Sequence, residues 1–329
     1  MAKRALVTGA DGFIGSHLVE ALLRQNVDVR AFVMYNSFSS NGWLDRLPKS
    51  VRKAIDIFPG DIRDAQRVNE ALEGVDAVFH LAALISIPYS YRSPASYMAV
   101  NVDGTLNVLE AAKQQARQKV LVVSSSEVYG TAQYVPIDEQ HPVHAQSPYS
   151  ASKIAAESLA TAYWSSFDTP VTVVRPFNTY GPRQSARAII PTIITQLLQG
   201  ESPLHLGDLR PSRDLTYVSD TVQAMIQVLF SEATTGKTLN IASEQEISIG
   251  ELAQRIIDKI QPGTPIVQDR LRMRPPKSEV ERLLGSGQQL STLVNWTPNV
   301  DLNTGLDRCI EWYGNPRHLA GFQSDHYYF

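Results

Sequence analysis

Tyr149 and Lys153 stand four residues apart in Tyr149-Ser150-Ala151-Ser152-Lys153, so on a helix they share one face. A phenol with a pKa of about 10 is a poor base at neutral pH, and an ammonium one turn away favours the phenolate. Such a pair takes a proton from a hydroxyl while a hydride leaves the same carbon. Lysine also reaches the ribose of a nicotinamide cofactor. Upstream, Ser124-Ser125-Ser126-Glu127 closes an apolar run. A strand ending there turns the Ser125 hydroxyl into a cleft, against the reacting oxygen. Glu127 adds a carboxylate. Once a hydroxyl is oxidised to a ketone, the hydrogen on the next carbon becomes acidic. A carboxylate can remove it as general base and, as general acid, help expel a hydroxyl one carbon further on. The candidate catalytic residues are Ser125, Ser126, Glu127, Tyr149 and Lys153.

A hydride needs an acceptor. Gly9-Ala10-Asp11-Gly12-Phe13-Ile14-Gly15 directly follows the apolar run Ala5-Leu6-Val7. Gly9 permits a sharp turn off the strand, Gly12 a close approach to a pyrophosphate, and Gly15 tight helix–strand packing. The helix that starts there, at Phe13 and Ile14, offers free amides and a positive dipole end. Strand before and amphipathic helix after are the context that makes this a dinucleotide turn. The acid expected roughly 20 residues on, for the adenosine ribose, is missing. Val33 stands at that strand end, followed by Met34-Tyr35-Asn36, and no arginine or lysine replaces the acid to grip a 2′-phosphate. The reading therefore favours NAD over NADP, with Asn36 or Tyr35 at the ribose. Asp61-Ile62 after the third strand reaches the adenine. The competing role for Asp61 is a helix cap, which Asp64 serves equally well.

These residues must be positioned by alternating elements. Strands are expected at Arg4–Thr8, Val27–Val33, Ile55–Pro59, Ala77–Leu81, Lys119–Ser124 and Val171–Arg175. Helices are expected at Gly12–Arg24, Ala65–Leu72, Ser96–Gln115 and Tyr149–Ser166. Alternation of this kind predicts an α/β fold, a doubly wound, Rossmann-type parallel sheet. After about residue 181 the pattern loosens, with prolines at 182, 191, 203 and 211. Residues 1–180 are read as the NAD-binding domain with the catalytic residues, and 181–329 as a smaller, mainly helical substrate lobe. Exchange of a strand between the two is left open.

The chain of 329 residues has a net charge of −3, which gives no global basic field for nucleic acid or an anionic membrane. No apolar stretch approaches the roughly 20 residues that span a bilayer. The N-terminal apolar run leads straight into the glycine turn, so no signal peptide is read and a cytoplasmic location is expected. Cys309 is the one cysteine, on an amphipathic stretch that reads as buried core. It excludes an intrachain disulfide and a multi-cysteine metal site, and no metal is expected. The basic run Arg270–Lys277 is either a solvated loop or a phosphate-binding loop. The aromatic tail His326-Tyr327-Tyr328-Phe329 gets docking on the core or disorder as its default.

Taken together, the residues resemble the extended short-chain dehydrogenases/reductases, and among them the nucleotide-sugar epimerases and dehydratases. The resemblance rests on Thr8–Gly15, Gly60-Asp61, His80-Leu81-Ala82-Ala83, Asn101-Val102-Asp103-Gly104-Thr105, Tyr149–Lys153 and Arg175–Arg183, with Arg213-Asp214 and Tyr217–Asp220. It spans nearly the whole chain. Details such as Phe32–Phe38, Ser126–Gln133, Gln184–Arg187 and Lys277–Arg282 look most like the NAD-dependent 4,6-dehydratases of legionaminic-acid-type pathways.

The resemblance implies a UDP- or GDP-linked N-acetylglucosamine substrate, a 4-keto-6-deoxy product and a homodimer packed through the helices near 96–115 and 149–166. It implies that Leu81, Ala82, Ala83, Asn101 and Pro176 belong to the cofactor site. It further implies Ser86 in the sugar pocket, Asn178 near the diphosphate, and Arg187, Arg213 and Arg274 at the nucleotide. Ser126-Glu127 departs from the Asp-Glu pair of glucose-type 4,6-dehydratases and matches GDP-mannose dehydratases, but UDP-glucuronate decarboxylases carry it too. The reading is a nucleotide-sugar 4,6-dehydratase. The rivals are a 4-epimerase, which does not need Glu127, a decarboxylase, and a non-catalytic dinucleotide sensor.

Overall fold

A computed structural model describes residues 3–115 and 118–322. The aromatic tail lies outside the described residues. Six strands build most of the central sheet: β1 (Arg4–Thr8), β2 (Asp28–Met34), β3 (Ile55–Gly60), β4 (Ala77–His80), β5 (Lys119–Val123) and β6 (Val171–Pro176). Beyond them come β7 (Asn178–Tyr180), β8 (Leu204–Leu206), β9 (Ser212–Tyr217), β10 (Thr238–Ile241), β11 (Glu246–Ser248), β12 (Ile266–Gln268) and β13 (Arg282–Leu283). The sheet has seven strands in the order β10-β6-β5-β4-β1-β2-β3, all parallel. The six expected strands are present. The seventh, β10, comes from the second part of the chain and pairs with β6, Ile241 opposite Pro176.

The strands are buried on both faces, which is why they read as unbroken apolar runs. Two clusters cover the sheet. One contains Val7, Leu18, Leu22, Phe79 and Leu121, the other Leu6, Val78, Val108, Leu109 and Val120. Residues that alternate along a strand thus go to opposite cores. Each fully buried leucine or valine contributes about 1.5–3 kcal/mol. Cys309 is fully buried, as read, and burial pushes its thiol up to about 12.

The helices of the first half are α1 (Phe13–Arg24), α2 (Lys49–Lys53), α3 (Ala65–Leu72), α4 (Ile87–Ser90), α5 (Pro94–Tyr97), α6 (Gly104–Gln114) and α7 (Pro148–Phe167). Asp64 caps α3, accepting from the Gln66 and Arg67 amides. The helix expected over 96–115 is not continuous. A π-helical segment, Met98–Asp103, separates α5 from α6. Wide turns of this kind often mark functional positions, and here the segment turns Asn101 inward. In the second part, β11, β9, β13 and β7 form one small sheet and β12 and β8 another, set among helices such as Val218–Phe230 and Ile249–Ile260. Among the described residues, no helix is long and apolar enough to cross a membrane.

Parallel strands leave their carboxyl ends on one edge of the sheet, where α/β proteins bind ligands. Thr8, Met34, Gly60, His80, Val123 and Pro176 all end there, and the glycine turn, the Ser125 turn and the start of α7 follow from them.

Candidate active site

The turn after β1 is built for something that approaches backbone. Gly9 has φ of 68°, and a Cβ there would lie 2.9 Å from the Ala82 amide nitrogen. A Cβ on Gly15 would lie 2.1 Å from the Gly9 carbonyl oxygen. The first turn of α1 has no capping side chain, so its leading amides face the sheet edge. Behind the turn, the Leu81 and Ala82 amides both donate to Thr8 Oγ1 at 3.1 Å. His80 bridges Thr8 and Thr105 through its two ring nitrogens at 2.9 and 3.0 Å. Burial lowers the His80 pKa to about 3, so the bridge is a neutral imidazole. The cradle is that of a dinucleotide pyrophosphate, and the residues fit NAD. Gly15→Ala should weaken NAD binding roughly 10- to 100-fold, the size of a typical overpacking penalty. Isothermal titration of the variant against wild type measures it.

Two expected cofactor contacts are engaged elsewhere. The Asn36 amide donates to the Met34 and Ser40 carbonyls and accepts from the Phe38 and Ser40 amides, closing its own loop. The Asp61 carboxylate takes Arg63 side on, with contacts of 2.9 and 2.5 Å, and that pairing holds its pKa down. Neighbouring Ile62 packs over Gly104. Asn101 is buried. Its amide spans the Leu84 backbone at 2.8 and 2.9 Å and donates to Ser152 Oγ at 2.9 Å. It therefore ties the loop after β4, with Ala83, to α7.

The catalytic candidates converge. Ser147 caps α7 in a reciprocal box with Ser150, and Pro148 starts its first turn. The buried stripe of α7 then runs Tyr149, Lys153, Ala156, Glu157, Ala160 and Tyr163, turned toward β5 and β6. Ser125 ends the extended chain after β5, and its hydroxyl accepts from the Glu127 amide at 3.2 Å. Tyr149 hydrogen-bonds Ser125. One expectation fails. Lys153 does not bring the phenol pKa down. Its ammonium donates to the Val123 carbonyl at 2.8 Å, and burial pushes the Tyr149 phenol above its ordinary range, with the Glu127 charge adding to the rise. Helical spacing fixes a shared face, not where a flexible lysine ends. Burial also lowers Lys153, from its ordinary 10.5 to about 8.

Glu127 is 9% exposed and faces cations. Arg274 Nη1 lies 3.9 Å from Glu127 and 3.5 Å from Glu279, while Arg213 binds Glu279 at 3.1 Å. Of the basic run, Arg274 reaches the site, whereas Arg270 and Lys277 are exposed. Asn178, at the start of β7, holds its amide oxygen buried with no hydrogen-bond partner among the described residues. Such a group costs free energy unless a ligand satisfies it. Ser86 caps α4, and its carbonyl accepts from the Tyr97 hydroxyl. Arg187 is exposed but close enough to act on the Tyr97 phenol.

Sequence reasoning missed Tyr91, Ser278 and Glu279. The Tyr91 hydroxyl meets Ser278 Oγ at 2.5 Å, and Ser278 Oγ donates to the Gln146 carbonyl just before α7. These bonds join segments more than 130 residues apart, so no local pattern announces them.

The family model described as GDP-mannose 4,6 dehydratase matches residues 6–309. A putative UDP-glucose 4-epimerase of Methanocaldococcus jannaschii is 31% identical over 317 residues, 94% of this chain and 98% of that protein. The UDP-N-acetyl-alpha-D-glucosaminuronate decarboxylase of Bacillus cytotoxicus is 32% identical over 323 residues, 95% of this chain and 98% of that protein. The solved dTDP-glucose 4,6-dehydratase of Bacillus anthracis, in complex with NAD, superposes with a TM-score of 0.84 at 27% identity, covering 96% of this chain and 98% of that one. The names span three reactions on nucleotide sugars.

Proposed function

Because this chain belongs to the GDP-mannose 4,6-dehydratase family, nucleotide-sugar enzymes of the extended short-chain dehydrogenase/reductase type, we propose that it is an NAD-dependent 4,6-dehydratase acting on UDP- or GDP-linked N-acetylglucosamine. The observation that carries the choice of dehydratase over epimerase is Glu127, a buried carboxylate whose charge is felt by Tyr149. An epimerase needs no base there.

In this reading Tyr149 takes the proton of the 4-hydroxyl while Ser125 holds the oxygen. The Gly9–Gly15 turn and the loop from Leu81 to Ala83 would hold NAD, which would supply a hydride acceptor for carbon 4, a donor for carbon 6 and a positive ring that favours the phenolate. Glu127 removes the proton from carbon 5, now next to a ketone. The bond from carbon 6 to oxygen breaks, and the hydroxyl leaves as water with the proton that Glu127 returns. A proton from the exchangeable pool completes carbon 5 and balances the one given to Tyr149. The net change is loss of one water. Arg213 and Arg274 suit the diphosphate, because the planar fork of arginine binds phosphate oxygens in pairs. Asn178 is proposed for the same substrate, and Pro176 at the end of β6 would face the nicotinamide.

Lys153 works as an ammonium, and kcat/KM follows the free enzyme. With its pKa lowered to about 8, loss of its proton should bend the kcat/KM profile downward near that pH, off the limb that rises as the raised Tyr149 phenol ionises. A profile with no bend up to about 10 would remove Lys153 from the acid–base account.

A homodimer through α6 and α7 belongs to the same proposal, as does a cytoplasmic location. The exposed Met98 and Phe167, beside these helices, support an apolar contact. Incubation with UDP- and GDP-N-acetylglucosamine plus NAD, read by mass spectrometry, tests the function. Loss of one water supports the dehydratase and names the nucleotide. Unchanged mass with an altered sugar configuration makes it an epimerase.

A further inference from the structure

Arg175 lies near the end of β6, a strand buried along its whole length. Its guanidinium is divided between two elements. Nε and Nη2 donate to the two Glu157 carboxylate oxygens at 2.9 and 2.7 Å, and Nη1 donates to the Tyr129 hydroxyl at 2.9 Å. Glu157 stands one turn beyond Lys153 on α7. Tyr129 closes the turn that begins with Ser126 and Glu127. The Tyr129 hydroxyl then donates to Asn240 Oδ1 at 2.7 Å, and Asn240 Nδ2 to the Ile137 carbonyl at 3.0 Å. One side chain thus binds together the helix bearing Tyr149 and Lys153, the turn bearing Glu127, and β10 through Tyr129.

Stability does not explain this arrangement. Desolvating a buried ion pair offsets most of its attraction, and apolar residues of similar volume often replace one without loss. What apolar residues cannot replace is direction. The guanidinium plane fixes both partners at once. None of Arg175, Glu157 or Tyr129 is used in the chemistry above.

We infer that Arg175, acting through Glu157 and Tyr129, is a positioning residue that sets Glu127 against the Tyr149–Lys153 pair, so that elimination at carbon 5 follows oxidation at carbon 4 in one site. The inference rests on the dehydratase reading. Removing the Tyr129 hydroxyl frees the turn but leaves the helix held by the Glu157 pair. Oxidation at carbon 4 then persists, and proton removal at carbon 5 suffers.

The test is Tyr129→Phe with UDP- and GDP-N-acetylglucosamine and NAD. Near-ultraviolet absorbance of reduced nicotinamide follows oxidation in a single turnover, and mass spectrometry follows water loss. The rate of nicotinamide reduction is expected to stay at the wild-type value. Water loss is expected to slow roughly 10- to 100-fold, as for a misplacement of about 1 Å. Equal slowing of both, or no slowing of either, overturns the inference. The double variant Glu157→Met/Arg175→Met removes both buried charges together and is expected to keep the wild-type thermal transition while kcat falls and KM holds. Wild-type kcat in a folded double variant also overturns it. If wild type itself releases no water, the dehydratase reading fails and this inference falls with it. If wild type dehydrates and Tyr129→Phe shows no split, only this inference fails.

Discussion

Glu127→Gln is expected to go on reducing NAD while its release of water falls by about 10²–10⁴-fold, the range that a positioned general acid–base contributes. Glutamine keeps the size and planarity of the side chain but cannot carry a proton between carbon 5 and the leaving hydroxyl. The substitution leaves Glu279 in place, which still binds Arg213 at 3.1 Å and Arg274 at 3.5 Å, so the arginines keep an anionic partner and the fold should survive. The lesion lies after the first hydride transfer. Reduced nicotinamide therefore builds up, and exchange of solvent deuterium into carbon 5 stops. Absorbance of the reduced cofactor and mass spectrometry of the sugar, taken from one reaction, separate the two halves. Full-rate water loss by this variant would return Glu127 to a structural role.

Tyr149→Phe is expected to stop the reaction one step earlier. The ring stays in place against Tyr97, with ring centres 6.3 Å apart, and beside Ile87. Only the hydroxyl that hydrogen-bonds Ser125 is lost, at a cost to stability of about 1 kcal/mol. Nothing then takes the proton of the 4-hydroxyl, and nicotinamide reduction itself should drop by about 10²–10⁴-fold. The two variants thus give opposite signatures, reduced cofactor accumulating in one and absent from the other. Reduction at the wild-type rate in Tyr149→Phe would take the proton transfer away from this residue.

What the sequence made legible was local. The glycine turn declares itself because strand, turn and helix are contiguous from Arg4 to Arg24. Tyr149 and Lys153 declare themselves by helical spacing. Spacing does not give direction, so the Lys153 ammonium was expected at the phenol and is found on the Val123 carbonyl. Nor does it reveal competition for a side chain. Asn36 reads as a ribose contact and Asn101 enters the cofactor site by resemblance alone; in the fold Asn36 spends its amide on its own loop and Asn101 bonds Leu84 and Ser152. The seventh strand, β10, is four residues long and pairs with β6 from beyond two further helices, which makes its place in the sheet a matter of tertiary packing. Glu279 and Tyr91 enter the site through contacts across 66 and 187 residues. Separations of that size leave no periodic trace in the chain.

The most direct measurement follows one hydrogen. UDP- or GDP-N-acetylglucosamine carrying deuterium on carbon 4 is incubated with the protein and NAD, and the product is read by NMR. The account predicts the deuterium on carbon 6 of a 4-keto-6-deoxy sugar. Deuterium still on carbon 4, in a sugar that keeps its 6-hydroxyl, would contradict it and leave an epimerase in its place.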